Sequence, residues 1–234
     1  MTEPLHWAVV PAAGVGRRMG GSIPKQYLSL NGRPVIDHAI ERLLFHPSID
    51  GLYVALGHDD AWWGDTEFAT HPDLVRVDGG EERCHSVLNA LRAMQSRARS
   101  DDWVLVHDAA RPCVRRADID RLFVRLAEDG VGGLLGMPVR DTMKRGGTDA
   151  RVTGTVERDG LWHAFTPQMF RFAALLEALE AALRDGFIVT DEASAMEHAG
   201  YRPLMVEGHA DNLKITRPDD LPLAAYFLDH QLGG

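Results

Sequence analysis

The sequence predicts an open α/β sheet, mostly parallel, with helices on both faces. Two observations carry this. Short apolar runs of strand length alternate with stretches whose apolar residues fall at helical spacing. The composition is that of an ordinary globular chain, with 45% hydrophobic and 25% charged residues among 234.

The elements follow in order. Trp7 to Ala13 reads as a buried strand. Pro34 to Phe45 places Val35, Ile36, Ala39, Ile40, Leu43 and Leu44 on one helical face. Leu52–Leu56 and Leu74–Val77 are the next strands. Ser86 to Met94 is a helix with Val87, Leu88, Ala90, Leu91 and Met94 inward. Trp103–His107 is a strand that ends at Asp108. Ala117 to Leu126 is a helix with Asp118 and Asp120 in its acidic first turn. Val131 to Val139 is a glycine-bearing strand. From Arg140 to Thr166 the chain turns polar, with turn signals at Gly146-Gly147 and Asp159-Gly160, and reads as a β-arm leaving the sheet. A floppy surface insertion is the alternative for such a segment. Helices resume at Phe172–Leu183 and Asp191–Ala199, followed by a strand at Pro203–Val206 and a helix from Pro218. The expectation is one domain over residues 1–234.

Charge and cysteine usage exclude several classes. The 25 Lys and Arg against 34 Asp and Glu give a net charge of −9, which argues against a nucleic-acid-gripping protein but leaves room for a local phosphate site. Cys84 and Cys113 are too few for a disulfide framework or a cysteine-rich zinc site. Reduced thiols are the simpler reading, and one bridge between them stays open. No apolar run approaches the roughly 18 residues of a membrane span, and Met1-Thr2-Glu3-Pro4 does not begin a signal peptide. A cytoplasmic location is expected, with no membrane and no nucleic acid as partner.

In such sheets ligands bind beyond the carboxyl ends of the strands. After the first strand comes Ala12-Ala13-Gly14-Val15-Gly16-Arg17-Arg18-Met19-Gly20, then Pro24-Lys25-Gln26. Glycines there let backbone N–H groups approach a phosphate. The dinucleotide pattern fails because position 19 is Met and no acid follows the second strand, and no Gly-Lys-Ser/Thr of a Walker loop occurs at its offset. Two cations beside a glycine loop, Arg18 and Lys25, suit a triphosphate better than a dinucleotide. A plain tight turn is the competing reading.

The stretch Pro11–Leu30, PAAGVGRRMGGSIPKQYLSL, resembles the opening of 2-C-methyl-D-erythritol 4-phosphate cytidylyltransferases of the non-mevalonate isoprenoid pathway. Four further segments resemble the same family in the same order. They are Gly79–Val87, GGEERCHSV; Val106–Pro112, VHDAARP; Thr166-Pro167-Gln168 with Thr190-Asp191-Glu192-Ala193; and Asp211–Pro218, DNLKITRP. The resemblance spans nearly the whole chain. It implies a single Rossmann-like nucleotidyltransferase domain whose arm reaches a partner subunit in a homodimer. It also implies that CTP and the polyol phosphate give a CDP-alcohol and pyrophosphate, and that the fused cyclodiphosphate synthase of some relatives is absent.

Residue roles follow from the match. Arg18 and Lys25 would neutralise the triphosphate, with Lys214 near the α-phosphate. Ala12, Ala13, Gly80 and Ser86 match positions that read the base; Gly14, Gly16, Glu81 and Ala109 join the nucleotide contacts. Glu81 stands where Asp is more usual, with a side chain one methylene longer. Asp108 matches a Mg²⁺ ligand, with Asp211 as a second contact to the same ion. Arg111, Thr142, Arg158, Thr166 and Thr190 match positions for the acceptor's phosphate and hydroxyls, Thr142 and Arg158 from the arm. Other roles compete at some of these positions. Ser86 falls where a helix begins and is suited to N-capping, Asp108 to capping a turn, and Lys214 alone to a solvated surface. His107 reads as structural, and Trp62-Trp63 as a packing pair or an exposed patch. Alternative functions are a cytidylyltransferase for another polyol phosphate such as ribitol 5-phosphate, and a non-catalytic nucleotide-binding regulatory module.

Overall fold

A computed structural model describes residues 3–14 and 23–231. Seven strands form one sheet: β1 (His6–Pro11), β4 (Gly51–Leu56), β5 (Leu74–Asp78), β6 (Trp103–Val106), β7 (Gly132–Pro138), β10 (Trp162–Arg171) and β11 (Leu204–Glu207). Their order is β11-β7-β10-β6-β1-β4-β5, and only β10 runs antiparallel to its neighbours. Two-residue strands β2 (Ser29–Leu30) and β3 (Arg33–Pro34) pair separately, as do β8 (Met143–Gly146) and β9 (Val152–Val156).

The helices cover both faces because successive strand residues point to opposite sides. Val9, Tyr53, Val104 and Val106 meet α2 (Arg83–Met94) and α4 (Phe172–Arg184) on one face. Val10, Leu52, Val54 and Leu105 meet α1 (Val35–Leu44) and α3 (Arg116–Leu126) on the other. Buried α2 residues at helical spacing, Val87, Leu88, Leu91 and Met94, contribute about 2 kcal/mol each by leaving water. The α5 helix (Glu192–His198) starts at a capping box, with Asp191 accepting from the Ser194 N–H at 2.9 Å. The α6 helix (Asp220–His230) packs Ala224 and Leu228 on Leu30, Val35 and Ile215. Among the described residues no helix is long and apolar enough to cross a membrane, and both cysteines are free and buried. Trp63 is buried and Trp62 stacks on Tyr27 at 5.9 Å, so the tandem is a packing pair.

One expectation needs correction. The arm does not extend to Thr166. Residues 162–171 form β10, which fills the sheet between β6 and β7. The first β10 segment, Trp162–Ala164, pairs with the end of β7, and the register shifts between Ala164 and Gln168 before Met169 and Phe170 enter the core. The excursion is the β8–β9 hairpin and its flanks, turning near Gly147 and again at Gly160, whose φ is +79°.

From β1 the chain winds outward through β4 and β5, then returns to the opposite side of β1 as β6. The crevice at this reversal opens beyond the ends of β1 and β6, where Ala12–Gly14 and Asp108 lie. The foot of the same strand pair is fixed by Asp102. Its carboxylate, fully buried, accepts from the Leu5 N–H at 2.9 Å, the Trp7 Nε1–H at 3.0 Å and the Arg99 N–H at 3.0 Å. Burial alone would push this carboxyl up; the N–H donors outweigh it and hold it below the usual carboxylate range. A depressed folded-state value means stability that is complete above the unfolded carboxyl pKa of about 4 and lost as pH falls below it. Urea unfolding from roughly pH 7 to pH 3 should therefore show Asp102→Asn less stable at neutral pH, by about 3 kcal/mol, with a shallower acid loss than the parent. Parallel pH profiles would remove Asp102 from that role.

Candidate active site

The crevice is a cavity of about 420 Å³ with a smaller lobe of about 170 Å³ beside it. The larger lobe is bounded by the loop after β1, by Lys25 and Gln26, by Gly80–Arg83, and by Asp108–Ala110. The smaller is bounded by Arg111, the 164–166 backbone, Gln168, Thr190 and Asp191. Arg83, Asp108 and Lys214 line both.

Local hydrogen bonds shape the larger lobe. The Gln26 amide donates to the Ala12 carbonyl at 2.7 Å and the Gly14 carbonyl at 3.0 Å, pinning the start of the glycine loop. Lys25 Nζ donates to the Ile215 carbonyl at 3.2 Å. Ser86 lies one turn inside α2 and caps nothing; its hydroxyl accepts from the Gly80 N–H at 3.0 Å and back-bonds to the Glu82 carbonyl at 3.2 Å. Gly79 is required by close approach, since a Cβ there would lie 2.3 Å from Ala13 Cβ. The two loops that would hold a base and its ribose thus touch through a residue without a side chain.

Among the described residues Asp108, between the lobes, has three cationic partners. Arg83 Nε donates to Oδ1 at 2.7 Å, Lys214 Nζ meets Oδ2 at 2.8 Å, and Arg111 Nε stands 3.6 Å from Oδ2. Burial opposes its ionisation, but Arg83, Lys214 and Arg111 outweigh that and hold the carboxyl far below its ordinary range. Arg83 is itself clamped by two hydrogen bonds of 2.6 and 2.9 Å to Glu192, which is fully buried at the start of α5. Burial of the guanidinium is more than offset by Glu192 and Asp108, so its pKa is raised.

His107 is structural. Burial pushes its pKa down to about 4, so the ring is neutral. A hydrogen on Nε2 suits the Arg111 carbonyl at 3.0 Å and leaves Nδ1 to accept from the Thr166 hydroxyl at 2.9 Å. The Thr166 oxygen in turn accepts from the Asp108 N–H at 3.1 Å. Every group in this chain has one consistent role, which fixes Thr166 at the smaller lobe.

Of the expected site residues, Ala12, Ala13, Gly14, Lys25, Gly80, Glu81, Ser86, Asp108, Ala109 and Lys214 line the larger lobe. Arg111, Thr166 and Thr190 line the smaller. Arg18 and Gly16 lie outside the described residues. Asp211 is not among the partners of Asp108. Its Oδ2 accepts from Arg115 at 2.6 and 2.9 Å and from Gln231 at 2.8 Å, and it lines neither lobe. The chain turns here, with the Asn212 N–H donating to the His209 carbonyl at 3.2 Å and the Leu213 N–H to the Asp211 carbonyl at 2.7 Å; Asn212 reaches the Thr166 carbonyl and Lys214 reaches Asp108, while Asp211 has a different set of partners. Thr142 and Arg158 are exposed on the arm and line neither lobe; Arg158 donates to the Arg140 carbonyl. The carboxylates available to a metal in the larger lobe are therefore Asp108, Glu81 and Glu82.

Arg83 and Glu192 were inside matched segments but carried no assigned role. Their pairing spans 109 positions, and only the fold brings them together. Lysine at 83 cannot bridge both carboxylates. Arg83→Lys should lower unfolding stability by about 2 kcal/mol and kcat/KM by about two orders of magnitude. Lys214→Ala, at a side chain 37% exposed, should cost less than about 1 kcal/mol of stability yet lose activity comparably. Urea unfolding beside steady-state kinetics checks both, and equal stability losses would contradict the assigned division.

A family model described as IspD: 2-C-methyl-D-erythritol 4-phosphate cytidylyltransferase matches residues 6–230. Curated relatives bearing that enzyme name include one from Pseudomonas aeruginosa, 55% identical over 93% of this chain and 94% of its own. Another, from Hahella chejuensis, is 53% identical over 97% of this chain and 95% of its own. The crystal structure of the Francisella tularensis enzyme of that name superimposes with a TM-score of 0.84 at 36% identity, covering 95% of this chain and 99% of that one. The structure of the Thermus thermophilus enzyme gives 0.77 at 29% identity, covering 95% and 98%. The chain therefore belongs to the 2-C-methyl-D-erythritol 4-phosphate cytidylyltransferase family.

Proposed function

We propose that this protein transfers CMP from CTP to 2-C-methyl-D-erythritol 4-phosphate, releasing pyrophosphate. The observation that carries this is the pair of lobes sharing Arg83, Asp108 and Lys214. A nucleoside triphosphate in the larger lobe and a polyol phosphate in the smaller bring two anions to one cationic junction. An oxygen of the acceptor phosphate attacks the α-phosphorus, and the bond to the departing pyrophosphate breaks. Little covalent work falls to the protein; it positions and neutralises. Lys25 and Arg18 serve the triphosphate, and Lys214 the α-phosphate between the lobes. Ser86 fixes Gly80 and its loop beside the base. Thr166, Thr190 and Arg111 receive the acceptor.

Mg²⁺ fits this site through one carboxylate. Asp108 is ionised and lines the junction, which suits an ion held mainly by phosphate oxygens and water. Bound there, Mg²⁺ would offset phosphate charge as it shifts onto the leaving group. Asp211, committed to Arg115 and Gln231, is not part of that proposal. A cytoplasmic location accompanies it, because the reaction consumes CTP. The first test is pyrophosphate release from CTP with excess Mg²⁺, comparing methylerythritol phosphate with ribitol 5-phosphate. Release with the former at least tenfold faster, abolished by EDTA and restored by Mg²⁺, is expected. Preference for ribitol 5-phosphate would move the protein to the sister activity, and CTP binding without release from either would make it a binding module.

We also propose a homodimer in which Arg158 and Thr142 complete the partner's site. What supports it is that both are exposed on the β8–β9 excursion and reach neither lobe of their own subunit. Lys25→Ala and Arg158→Ala homodimers should each be inactive. In a mixed dimer one site collects both lesions and the other has neither. With free exchange about half the dimers are mixed, so activity should return to roughly a quarter of the parent's. Exchange is verified with labelled chains; verified exchange without recovery would place Arg158 in its own subunit's site or in none.

A further inference from the structure

We propose that Glu82, Cys84 and His85 form a binding site for a soft divalent cation of the zinc class, distinct from the Mg²⁺ junction at Asp108 although Glu82 also lines the larger lobe. The three residues occupy the loop–helix boundary at the start of α2. Their ligand atoms lie within 4.8 Å of one another. Cys84 Sγ is 3.8 Å from Glu82 Oε2. A tetrahedral ion with metal–sulfur and metal–oxygen bonds of about 2.3 and 2.0 Å would set those two atoms about 3.5 Å apart, so a small rotation of the exposed Glu82 side chain suffices.

His85 supplies the independent observation. Its Nδ1 is sealed from solvent and has no hydrogen-bond partner. A buried ring nitrogen left without a partner is costly, and a metal ion satisfies it directly. No cation competes from within this turn, because the Arg83 guanidinium is turned to Asp108 and Glu192. Cys84 is 3% exposed, so its sulfur is shielded from bulk reagents.

The donor set decides the metal. One sulfur, one imidazole nitrogen and one carboxylate oxygen suit Zn²⁺ or Cd²⁺; Mg²⁺ takes hard oxygen ligands and is refused. On binding, the Cys84 S–H bond breaks, its proton passes to water, and the sulfur pair forms the bond to the metal. The fourth position goes to water.

Metal-free protein, titrated with Cd²⁺ in the presence of excess Mg²⁺, tests this without any substrate. The expected result is thiolate-to-metal ultraviolet absorption saturating at one equivalent per chain, undiminished by Mg²⁺. Cys84→Ala should abolish the band, and Cys113→Ala should keep it. His85→Gln should weaken Cd²⁺ at least tenfold, and Zn²⁺ likewise in competition with a chromophoric chelator. No band, a band that survives Cys84→Ala, or unchanged affinity in His85→Gln overturns the site. Should Cys84→Ala fail to fold by circular dichroism, the His85→Gln affinity alone decides.

Discussion

A single carboxylate organises this molecule's active centre. Asp108 stands at the carboxyl end of β6 with Arg83, Arg111 and Lys214 around it. These cations come from α2, from the loop after β6, and from the segment after β11. Burying an ion without partners is prohibitive; burying it among three, with backbone hydrogen bonding nearby, is not. The same ion pairs that make the burial tolerable draw three distant segments to one point. Both lobes of the cavity are therefore walls of one electrostatic cluster.

That cluster rests on a second, uncharged layer. Neutral His107 bridges the Arg111 carbonyl and the Thr166 hydroxyl, and Thr166 holds the Asp108 N–H. Asn212 donates to the Thr166 carbonyl at 2.8 Å, while its own carbonyl accepts from Arg111 at 2.6 Å. Such polar chains hold geometry, and this one is not fully satisfied: the buried Asn212 Oδ1 has no hydrogen-bond partner among the described residues. The backbone of β10 enters this layer because its register shift falls between Ala164 and Gln168.

How much of this was legible depended on sequence distance. The alternation of strands and helices was readable because each element carries its own period, as in Val87, Leu88, Leu91 and Met94 of α2. The β10 strand was not, because Pro167 masks a strand that proline normally interrupts. Motif matching placed Lys25, Ser86, Asp108, Thr166, Thr190 and Lys214 along the two lobes. It gave Asp211 to the metal, whereas the turn at 209–213 leaves it with Arg115 and Gln231, and residue identity does not reveal which way a side chain leaves a turn. It passed over Arg83, whose value lies in partners 25 and 109 positions away.

The cations around Asp108 differ in what they are free to do. Arg83 is held by Glu192 through two hydrogen bonds and by Asp108 through a third, so its guanidinium keeps its position whatever enters the cleft. Arg111 is tied to the Asn212 carbonyl and lies over the Phe165 ring at 5.0 Å. Lys214 is different: among the described residues its ion pair is with Asp108 alone, and its side chain is 37% exposed on a flexible stem. An entering phosphate can take this ammonium over from Asp108 without unmaking the rest of the cluster. Asp108 then keeps Arg83 at Oδ1, and Arg111 still stands beside Oδ2. A net charge of −9 on the chain is no obstacle to binding two polyanions, because the cations that matter are fixed or poised within one cleft.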